Sequence, residues 1–267
     1  MDWGRAKNII LAVLVVTNIF LIAVYGLRYG HAKANNSELR SYTIDKLSEN
    51  RIELECEIPE KPGKIPALTV RYEKYDSNTV ERAIEEIQAA DKESSSGKPE
   101  SKEAYEAAAA GFLDDCGLLP SGGVTAEFTE EEGIAVVHFE NSYDGIPLED
   151  CYMDVIFTDG IITDFRPQWV EPVEEGAAKL SITEPVTALL SFIDIVNEER
   201  RNGAESPDDE AENALPVDQT VSVESICLVY YVDKESVGAN VLYDTAFPAW
   251  RIEYNGGRIR YISAFEQ

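Results

Sequence analysis

The feature that most constrains this chain is an uncharged apolar stretch close to its N-terminus. The stretch Ile9–Leu27 holds no Asp, Glu, Lys or Arg. As a helix it would be about 28 Å long at about 1.5 Å per residue, close to the roughly 30 Å hydrocarbon core of a bilayer. We therefore predict a transmembrane anchor over residues 8–28, preceded by a cytoplasmic tail over residues 1–7.

Two other interpretations of this stretch stay open. The triplet Ala32-Lys33-Ala34 has the form of a signal-peptide cleavage site, although signal peptides have a shorter apolar region of about 7–15 residues. Cleavage there would give a secreted binding protein. A buried core helix is the other interpretation, but so long an uncharged run is rare in cores. Basic residues flank the stretch on both sides, so the positive-inside rule does not orient it. The simplest topology places the long C-terminal part outside the cytoplasm.

The charge of the chain argues against several classes of partner. The 267 residues carry 23 Lys and Arg against 50 Asp and Glu, a formal charge of −27. Residues 1–35 hold four of the basic residues and one of the acidic ones, so residues 36–267 carry −30. Such a surface repels phosphate groups, which argues against nucleic acid and anionic lipid as partners. Apolar residues make up 44% of the chain, which is enough for a packed core.

Beyond the predicted anchor, strand patterns alternate with amphipathic helix patterns, which indicates an α+β fold. Ile52–Ile58 alternates apolar and acidic residues, as a strand with one buried face does. We expect a juxtamembrane segment over residues 29–50, followed by two extracytoplasmic units over residues 51–170 and 179–267. Each unit is expected to be an antiparallel sheet with helices. The other predicted strands are Leu68–Glu73, Val124–Thr129, Ile134–Glu140, Cys151–Thr158, Ile161–Phe165, Thr220–Val232, Trp250–Tyr254 and Arg258–Phe265.

Capping residues predict the ends of two helices in the first unit. Asn78 is expected to begin one helix, with Glu81 three residues later as the partner in a capping box. Ser101 is expected to cap the next, and Gly117 should end it, because Gly is the usual residue after a helix C-terminus. The polar stretch Asp91–Ser101 between them is predicted to be a loop.

In the second unit, a third helix should begin at Thr183. It should end at Arg200 and Arg201, whose positive charges suit the C-terminal end of a helix dipole. The stretch Asn202–Asp218 that follows is rich in Asp, Glu, Ala and Pro, and we expect an exposed loop there.

Two hairpins of the chain match in sequence. Val155–Ile162 and Ile252–Ile259 share their apolar positions and a glycine at an offset of 97 residues. The first contains Asp159-Gly160, a strong signal for a two-residue turn. An internal duplication and a chance similarity between two ordinary hairpins both explain the match.

Motifs that carry catalytic or metal chemistry are absent from the sequence. There is no H-E-x-x-H, G-x-S-x-G, P-loop, G-x-G-x-x-G, C-x-x-C or EF-hand pattern. The chain has two His, of which His138 shares a predicted strand face with Ile134 and Val136 and is interpreted as structural. No catalytic, metal-ligating or cofactor-binding residue is therefore assigned, and no cofactor is expected.

The four cysteines are Cys56, Cys116, Cys151 and Cys227. Each lies in an apolar pattern, so burial as a small hydrophobe explains all of them. A location outside the cytoplasm would permit disulfides in any of three pairings, and the sequence leaves their state open.

Three segments carry a resemblance to a known family. The opening Met1–Lys7 (MDWGRAK), the segment Thr17–Leu21 (TNIFL) within the apolar stretch, and Pro248–Ile252 (PAWRI) near the C-terminus all resemble the YycI family. These are two-component regulatory proteins of Gram-positive bacteria. The resemblance covers both ends and the overall length, while the middle matches in the order of elements.

The resemblance implies a single-pass protein of the cell membrane with an extracytoplasmic domain. It implies a fold shared with domains of a YycH-like partner, and action with that partner on a WalK-type sensor kinase that governs cell-wall metabolism. Homo- or hetero-oligomers would fit this role. The rival interpretation is an extracytoplasmic enzyme or peptidase-associated module anchored to the membrane.

Thr17 and Asn18 are the candidate contact residues within the predicted anchor. They are adjacent polar residues near the middle of the span, where polar side chains help membrane helices to associate. The alternative is that Thr17 bonds within its own helix and Asn18 is merely tolerated.

Overall fold

The computed structural model describes residues 14, 17–18, 37–73, 75–93, 98–118, 124–205, 215–216, 218–232 and 242–265. Over these residues the α+β prediction is confirmed, with helices packed on a mixed sheet. The helices are α1 (residues 37–49), α2 (Ser77–Glu93), α3 (Lys102–Asp115) and α4 (Pro185–Glu205). The strands are β1 (Ile52–Leu54), β2 (Ile65–Tyr72), β3 (Val124–Glu131), β4 (Ile134–Tyr143), β5 (Ile146–Thr158), β6 (Ile161–Gln168), β7 (Val170–Leu180), β8 (Val221–Tyr231), β9 (Tyr243–Tyr254) and β10 (Arg258–Ser263).

The chain divides into two compact units. The first consists of Met1–Glu55 with Leu189–Ser222, and the second of Cys56–Ala188 with Val223–Gln267. These units are interleaved along the chain, unlike the two consecutive units that the sequence predicts. The difference arises because a sequence pattern shows which face of an element is buried but not which distant element covers it.

The first unit contains α1, β1 and α4 from Leu189 onward. Helix α1 lies within residues 29–50, the predicted juxtamembrane segment, and it buries Thr43 and Leu47. The other fully buried apolar side chains of this unit include Ile52, Leu189, Phe192, Val196, Leu215 and Val221.

The second unit is built on a sheet with the strand order β3-β4-β5-β8-β9-β2-β7, to which β6 adds on β5 and β10 on β9. Within the described residues the strands of this unit pair antiparallel, except β5 with β8, which pair in parallel at Leu148 and Tyr230. Strands expected in two separate antiparallel sheets are thus joined in one mixed sheet. Strand β7 forms an edge, since it pairs only with β2 in the described part of the chain.

One face of this sheet is covered by helices α2 and α3. The ring of Tyr105 lies 5.0 Å from the ring of Phe128 and 5.0 Å from that of Phe157, which fixes α3 on the strands. Leu68, Phe112, Val137 and Val155 are among the buried residues of the same core. The large apolar area removed from water here is the main term holding the unit together.

The helix ends are partly as predicted. Ser101 caps α3, since its Oγ accepts from the Ala104 N–H at 3.3 Å. Gly117 follows the helix with a φ of 68°, as expected. The capping box at Asn78 was wrong, because Asp76 accepts from the Asn78 N–H at 3.1 Å and α2 begins at Ser77.

The boundaries of other elements differ more from the predictions. Helix α4 begins at Pro185 and continues past Arg201 to Glu205. Strand β7 was missed because its residues from Val173 to Lys179 are all exposed, which removes the alternation that a half-buried strand shows. Strand β9 begins at Tyr243 although Pro248 interrupts its pattern.

Both matched hairpins exist, with different turns. Asp159 and Gly160 form the predicted two-residue turn between β5 and β6, with φ angles of 54° and 81°. The turn between β9 and β10 instead has three residues of positive φ, Asn255, Gly256 and Gly257. The two hairpins share their antiparallel pairing but not their turn length.

Candidate functional site

Most of the predicted membrane span lies outside the described residues. Leu14, Thr17 and Asn18 are described, and all three are helical and exposed. No helix within the described residues has both the length and the apolar character needed to cross a membrane. The two predicted contact residues are thus placed on a helix, and none of these three side chains is packed in a core. The predicted tail over residues 1–7 lies outside the described residues.

A cleft of about 590 Å³ opens in the first unit where α1 ends. Ligand pockets usually enclose about 300–1,000 Å³, so its size is in the range of a small-molecule site. We call it the arginine cleft, after three of its lining residues. Its walls come from the end of α1, from α4 and from the segment before β8, and the lining residues are Glu49, Asn50, Arg51, Asn197, Arg200, Arg201 and Asp218.

The wall formed by α1 depends on how that helix ends. The Asn50 side-chain amide donates to the Lys46 carbonyl at 2.8 Å, and the Arg51 N–H donates to the Ser48 carbonyl at 3.0 Å. Arg51 adopts a φ of 55°, the left-handed conformation in which a helix commonly stops. Gly normally occupies this position, because other residues are disfavoured there by about 1 kcal/mol.

The wall formed by α4 presents three residues on one side of the helix. Asn197, Arg200 and Arg201 are spaced i, i+3 and i+4, which places them on adjoining turns. The Asn197 amide donates to the Asn50 Oδ1 at 2.9 Å. Arg200 donates to the Asn50 carbonyl at 2.7 Å and to the Gln219 carbonyl at 2.8 Å. Arg200 therefore ties together all three segments of the cleft.

Arg200 is a buried charge without a neutralising carboxylate. Arg200 is only 8% exposed, and both groups that accept its hydrogen bonds are neutral carbonyls. Within the described residues it forms no ion pair, and its buried Nε has no hydrogen-bond partner. Burial, and after it the nearby positive charge of Arg51, lower the pKa of the Arg200 guanidinium.

Both acidic residues of the lining form ion pairs with basic side chains. Arg51 pairs with Asp218 at 2.8 Å, but the Asp218 side chain is 94% exposed. Glu49 pairs at 2.5 Å with Lys46, which is not part of the lining. Arg201 donates from Nε to the Asn197 carbonyl at 3.2 Å and forms no ion pair with any described residue. The cleft therefore concentrates positive charge within a strongly acidic protein.

A histidine of the second unit lies between two carboxylates. The His138 Nδ1 is 2.5 Å from the Asp154 Oδ1, and its Nε2 is 3.3 Å from the Glu140 Oε1. Its ring stacks on that of Tyr152 with centroids 5.5 Å apart. A carboxylate orients the ring as in a catalytic triad, but no hydroxyl or thiol bonds to it in the described residues. The arrangement is consistent with the structural interpretation of His138.

A second polar cluster of this unit surrounds Arg251. Its guanidinium is 3.4 Å from Glu149 and 3.2 Å from Glu253. Burial raises the pKa of the Glu149 carboxyl, against the stabilising hydrogen bond from Tyr261 and the charge of Arg251. Burial opposes the charged form of Arg251 as well, but the attraction of Glu149 and other groups raises its pKa overall.

The structure leaves all four cysteines as free thiols, so none of the three disulfide pairings forms. Cys151 is buried, and its Sγ accepts from the Val170 N–H at 3.2 Å. Burial raises the pKa of this thiol to about 11, which makes it a poor nucleophile at neutral pH. Among the described residues, no group of three or more His, Cys, Asp or Glu is arranged to hold a metal ion.

The arginine cleft was missed by sequence reasoning. Arg200 and Arg201 were noticed, but their charges were assigned to a helix dipole at an end that the helix does not have there. Arg51 was not noticed, because its unusual φ depends on where α1 stops. The available signal was the adjacent basic pair on α4 in a chain with 50 acidic and 23 basic residues.

Comparisons with known proteins give no family. No family model matches the chain, and no curated protein matches it. A crystal structure of an uncharacterized protein from Eubacterium rectale, solved at 1.45 Å resolution, is similar with a TM-score of 0.47 and 10% sequence identity. The similarity covers 79% of this chain and 86% of that one.

Proposed function

We propose that this protein is a membrane-anchored, non-catalytic regulator similar to the YycI family. It binds a YycH-like partner and a WalK-type sensor histidine kinase, and through them modulates two-component signalling over cell-wall metabolism. The observation that carries this proposal is the uncharged stretch Ile9–Leu27 directly behind the opening MDWGRAK. A single span of this length holds the domain at a membrane surface, where a sensor kinase also resides.

The C-terminal part of the resemblance supports the same proposal. The PAWRI segment lies within β9, where Trp250 is 1% exposed and its indole N–H donates to the Thr183 carbonyl at 3.3 Å. The residues that resemble the family therefore have a structural role in the sheet. A segment that fixes a fold is a reasonable trace of shared ancestry, since core packing tolerates few changes in shape.

Association with the kinase would involve the membrane helix as well as the extracytoplasmic part. In lipid there is little hydrophobic drive between helices, so polar groups and close packing decide association. Thr17 and Asn18 are the polar pair of the span, and the measured worth of such contacts is about 0.6–2 kcal/mol. We expect Asn18 to bond a partner helix.

Co-purification from detergent-solubilised membranes tests the proposal. The full-length protein should bring down a sensor kinase, and Asn18→Leu should reduce the yield several-fold at matched expression. Ile19→Leu, which keeps the span apolar, is the matched control and should leave the yield unchanged. A chain that is released from membranes by alkaline carbonate would contradict the anchor. Turnover of wall fragments or peptides by the purified protein would favour the enzyme instead.

A further inference from the structure

We propose that the arginine cleft binds a small molecule through an oxyanion group, either a carboxylate or a phosphate. This inference does not rest on the proposed regulatory function. The lining holds three arginines against two carboxylates, Glu49 and Asp218. Glu49 already pairs with Lys46 outside the lining, which leaves Asp218 as the one lining carboxylate that pairs with an arginine among the described residues.

Asp218 occupies the place that a ligand anion would take. Its carboxylate lies 2.8 Å from the Arg51 guanidinium, yet its side chain is 94% exposed. Exposed ion pairs contribute little to stability and exchange readily. A ligand carboxylate or phosphate can therefore displace Asp218 and receive the charge-assisted hydrogen bonds of Arg51.

Arg201 supplies further donors from the α4 wall of the cleft. Its Nε bonds within α4 to Asn197, so its terminal nitrogens are not engaged by that bond. The guanidinium group is planar and presents paired N–H groups that match the two oxygens of a carboxylate or phosphate. Arg51 and Arg201 both line the cleft, so both guanidinium groups are available to an oxyanion bound there.

Arg200 adds a charge that the cleft itself does not neutralise. It is held in place by the Asn50 and Gln219 carbonyls and is removed from solvent. Because its partners are dipoles rather than carboxylates, its full positive charge contributes to the potential of the cleft. Burial, and after it the positive charge of Arg51, lower the pKa of this guanidinium.

The backbone at Arg51 supports a role for its side chain. At a φ of 55° a glycine would be the less strained choice. Arg51 thus ends α1 in a left-handed conformation and lines the cleft, so an arginine stands where Gly is usual. With a volume of about 590 Å³, the cleft also has room for an oxyanion carried on a larger organic molecule.

Calorimetric titration of the full-length chain in a neutral maltoside detergent tests the proposal. Inorganic phosphate and acetate are the two probes, each at constant ionic strength kept with NaCl. We expect saturable binding of at least one probe, and the tighter of the two identifies the oxyanion. Arg51→Gly should weaken binding by at least about tenfold, because it removes a charged donor. Asp218→Asn should tighten binding by about threefold, because it removes the competing carboxylate.

Two further variants keep the result interpretable. Arg51→Gly should fold, because Gly is the usual residue at this helix end, and thermal melting checks that it does. If it does not fold, Arg201→Gln removes an exposed donor of the same cleft and should weaken binding. Arg166→Gln, an exposed arginine of the second unit paired with Asp164, is the control and should bind as the wild type does. Absence of binding in both wild type and Asp218→Asn, or equal loss in Arg166→Gln, would overturn the proposal.

Discussion

Arg200 in the first unit and Arg251 in the second are both largely removed from solvent, but their charges are balanced differently. Arg251 lies between Glu149 and Glu253, at 3.4 and 3.2 Å. Among the described residues Arg200 bonds to two backbone carbonyls and forms no ion pair, and the charge of Arg51 that acts on it is positive. Burial lowers the pKa of both guanidinium groups; Glu149 and other groups raise that of Arg251 overall, while Arg51 lowers that of Arg200 further.

The difference separates two uses of a buried guanidinium. Around Arg251 the positive charge is paired with carboxylates of the same unit, so removing Arg251 would leave a partly buried carboxylate unpaired. Two nitrogens of Arg200 donate hydrogen bonds to carbonyls, which hold the guanidinium in position, but no carboxylate among the described residues neutralises its positive charge. A ligand anion could do so, which is why we place the binding site in the first unit.

The largest expected effect is that of Arg251→Met. It would leave Glu149 partly buried without its cation, and breaking such a pair costs about 3 kcal/mol. Urea unfolding followed by tryptophan fluorescence measures it, since Trp169 and Trp250 both lie in the second unit. Arg166→Met, at an exposed pair, should change stability by less than about 0.5 kcal/mol. Equal effects of both variants would mean that the ion pairs of Arg251 contribute no more to stability than an exposed pair.

Arg200→Met should have the next largest effect. The carbonyls of Asn50 and Gln219 would lose their donor, with an expected loss of about 2 kcal/mol. Hydrogen exchange followed by mass spectrometry should show faster exchange in peptides of α1 and α4. The matched variant Arg201→Met, exposed on the same helix, should leave those rates unchanged. A stabilised Arg200→Met protein would show that the unbalanced charge outweighs the hydrogen bonds.

A smaller, pH-dependent effect is expected at Glu149. Burial raises its folded-state pKa above that of the unfolded chain, so the folded protein takes up this proton first as pH falls. Its favourable contribution is present below the ordinary Glu pKa of about 4.3 and is lost as pH rises through the raised value. The unfolding free energy of wild type relative to Glu149→Gln should therefore fall as pH rises through the window that begins near the ordinary Glu pKa of about 4.3. A constant difference across this window would contradict the prediction.

The smallest effect is that of Arg51→Gly on stability. Relief of the left-handed conformation and loss of the exposed pair with Asp218 nearly cancel, so we expect a change within about 0.5 kcal/mol. Thermal melting without added anion measures it. Arg51→Ala, which keeps the strain but loses the pair, should be the less stable of the two variants.

The sequence predicted those parts of the fold that are set by local chemistry. Asp159-Gly160 requires a tight turn whatever surrounds it, and Ser101 caps α3 through its own side chain. The parallel pairing of Leu148 with Tyr230 could not be predicted, because nothing in either strand names a partner 82 residues away. Strand β7 could not be predicted for a related reason. Most of its residues are exposed, so its sequence lacks the alternation of apolar and polar residues that indicates a strand.

Of the cleft, only some of the lining residues could be predicted from the sequence, and not their arrangement. Arg200 and Arg201 stand out in an acidic chain, and their helical spacing with Asn197 can be deduced. Their convergence with Arg51 depends on the end of α1, which was not predicted as a helix. A binding site made of three segments far apart in the chain is thus harder to predict than any of its walls.

The exposed edge of β7 has a consequence for how copies of this protein behave when crowded. The outer backbone groups of an edge strand can template pairing with another molecule, which is how aggregation often begins. Here the edge carries Glu171, Glu174 and Glu175, together with Pro172, which cannot donate a hydrogen bond. Like charges on two such edges repel, so this strand also protects the molecule from pairing with its own copies.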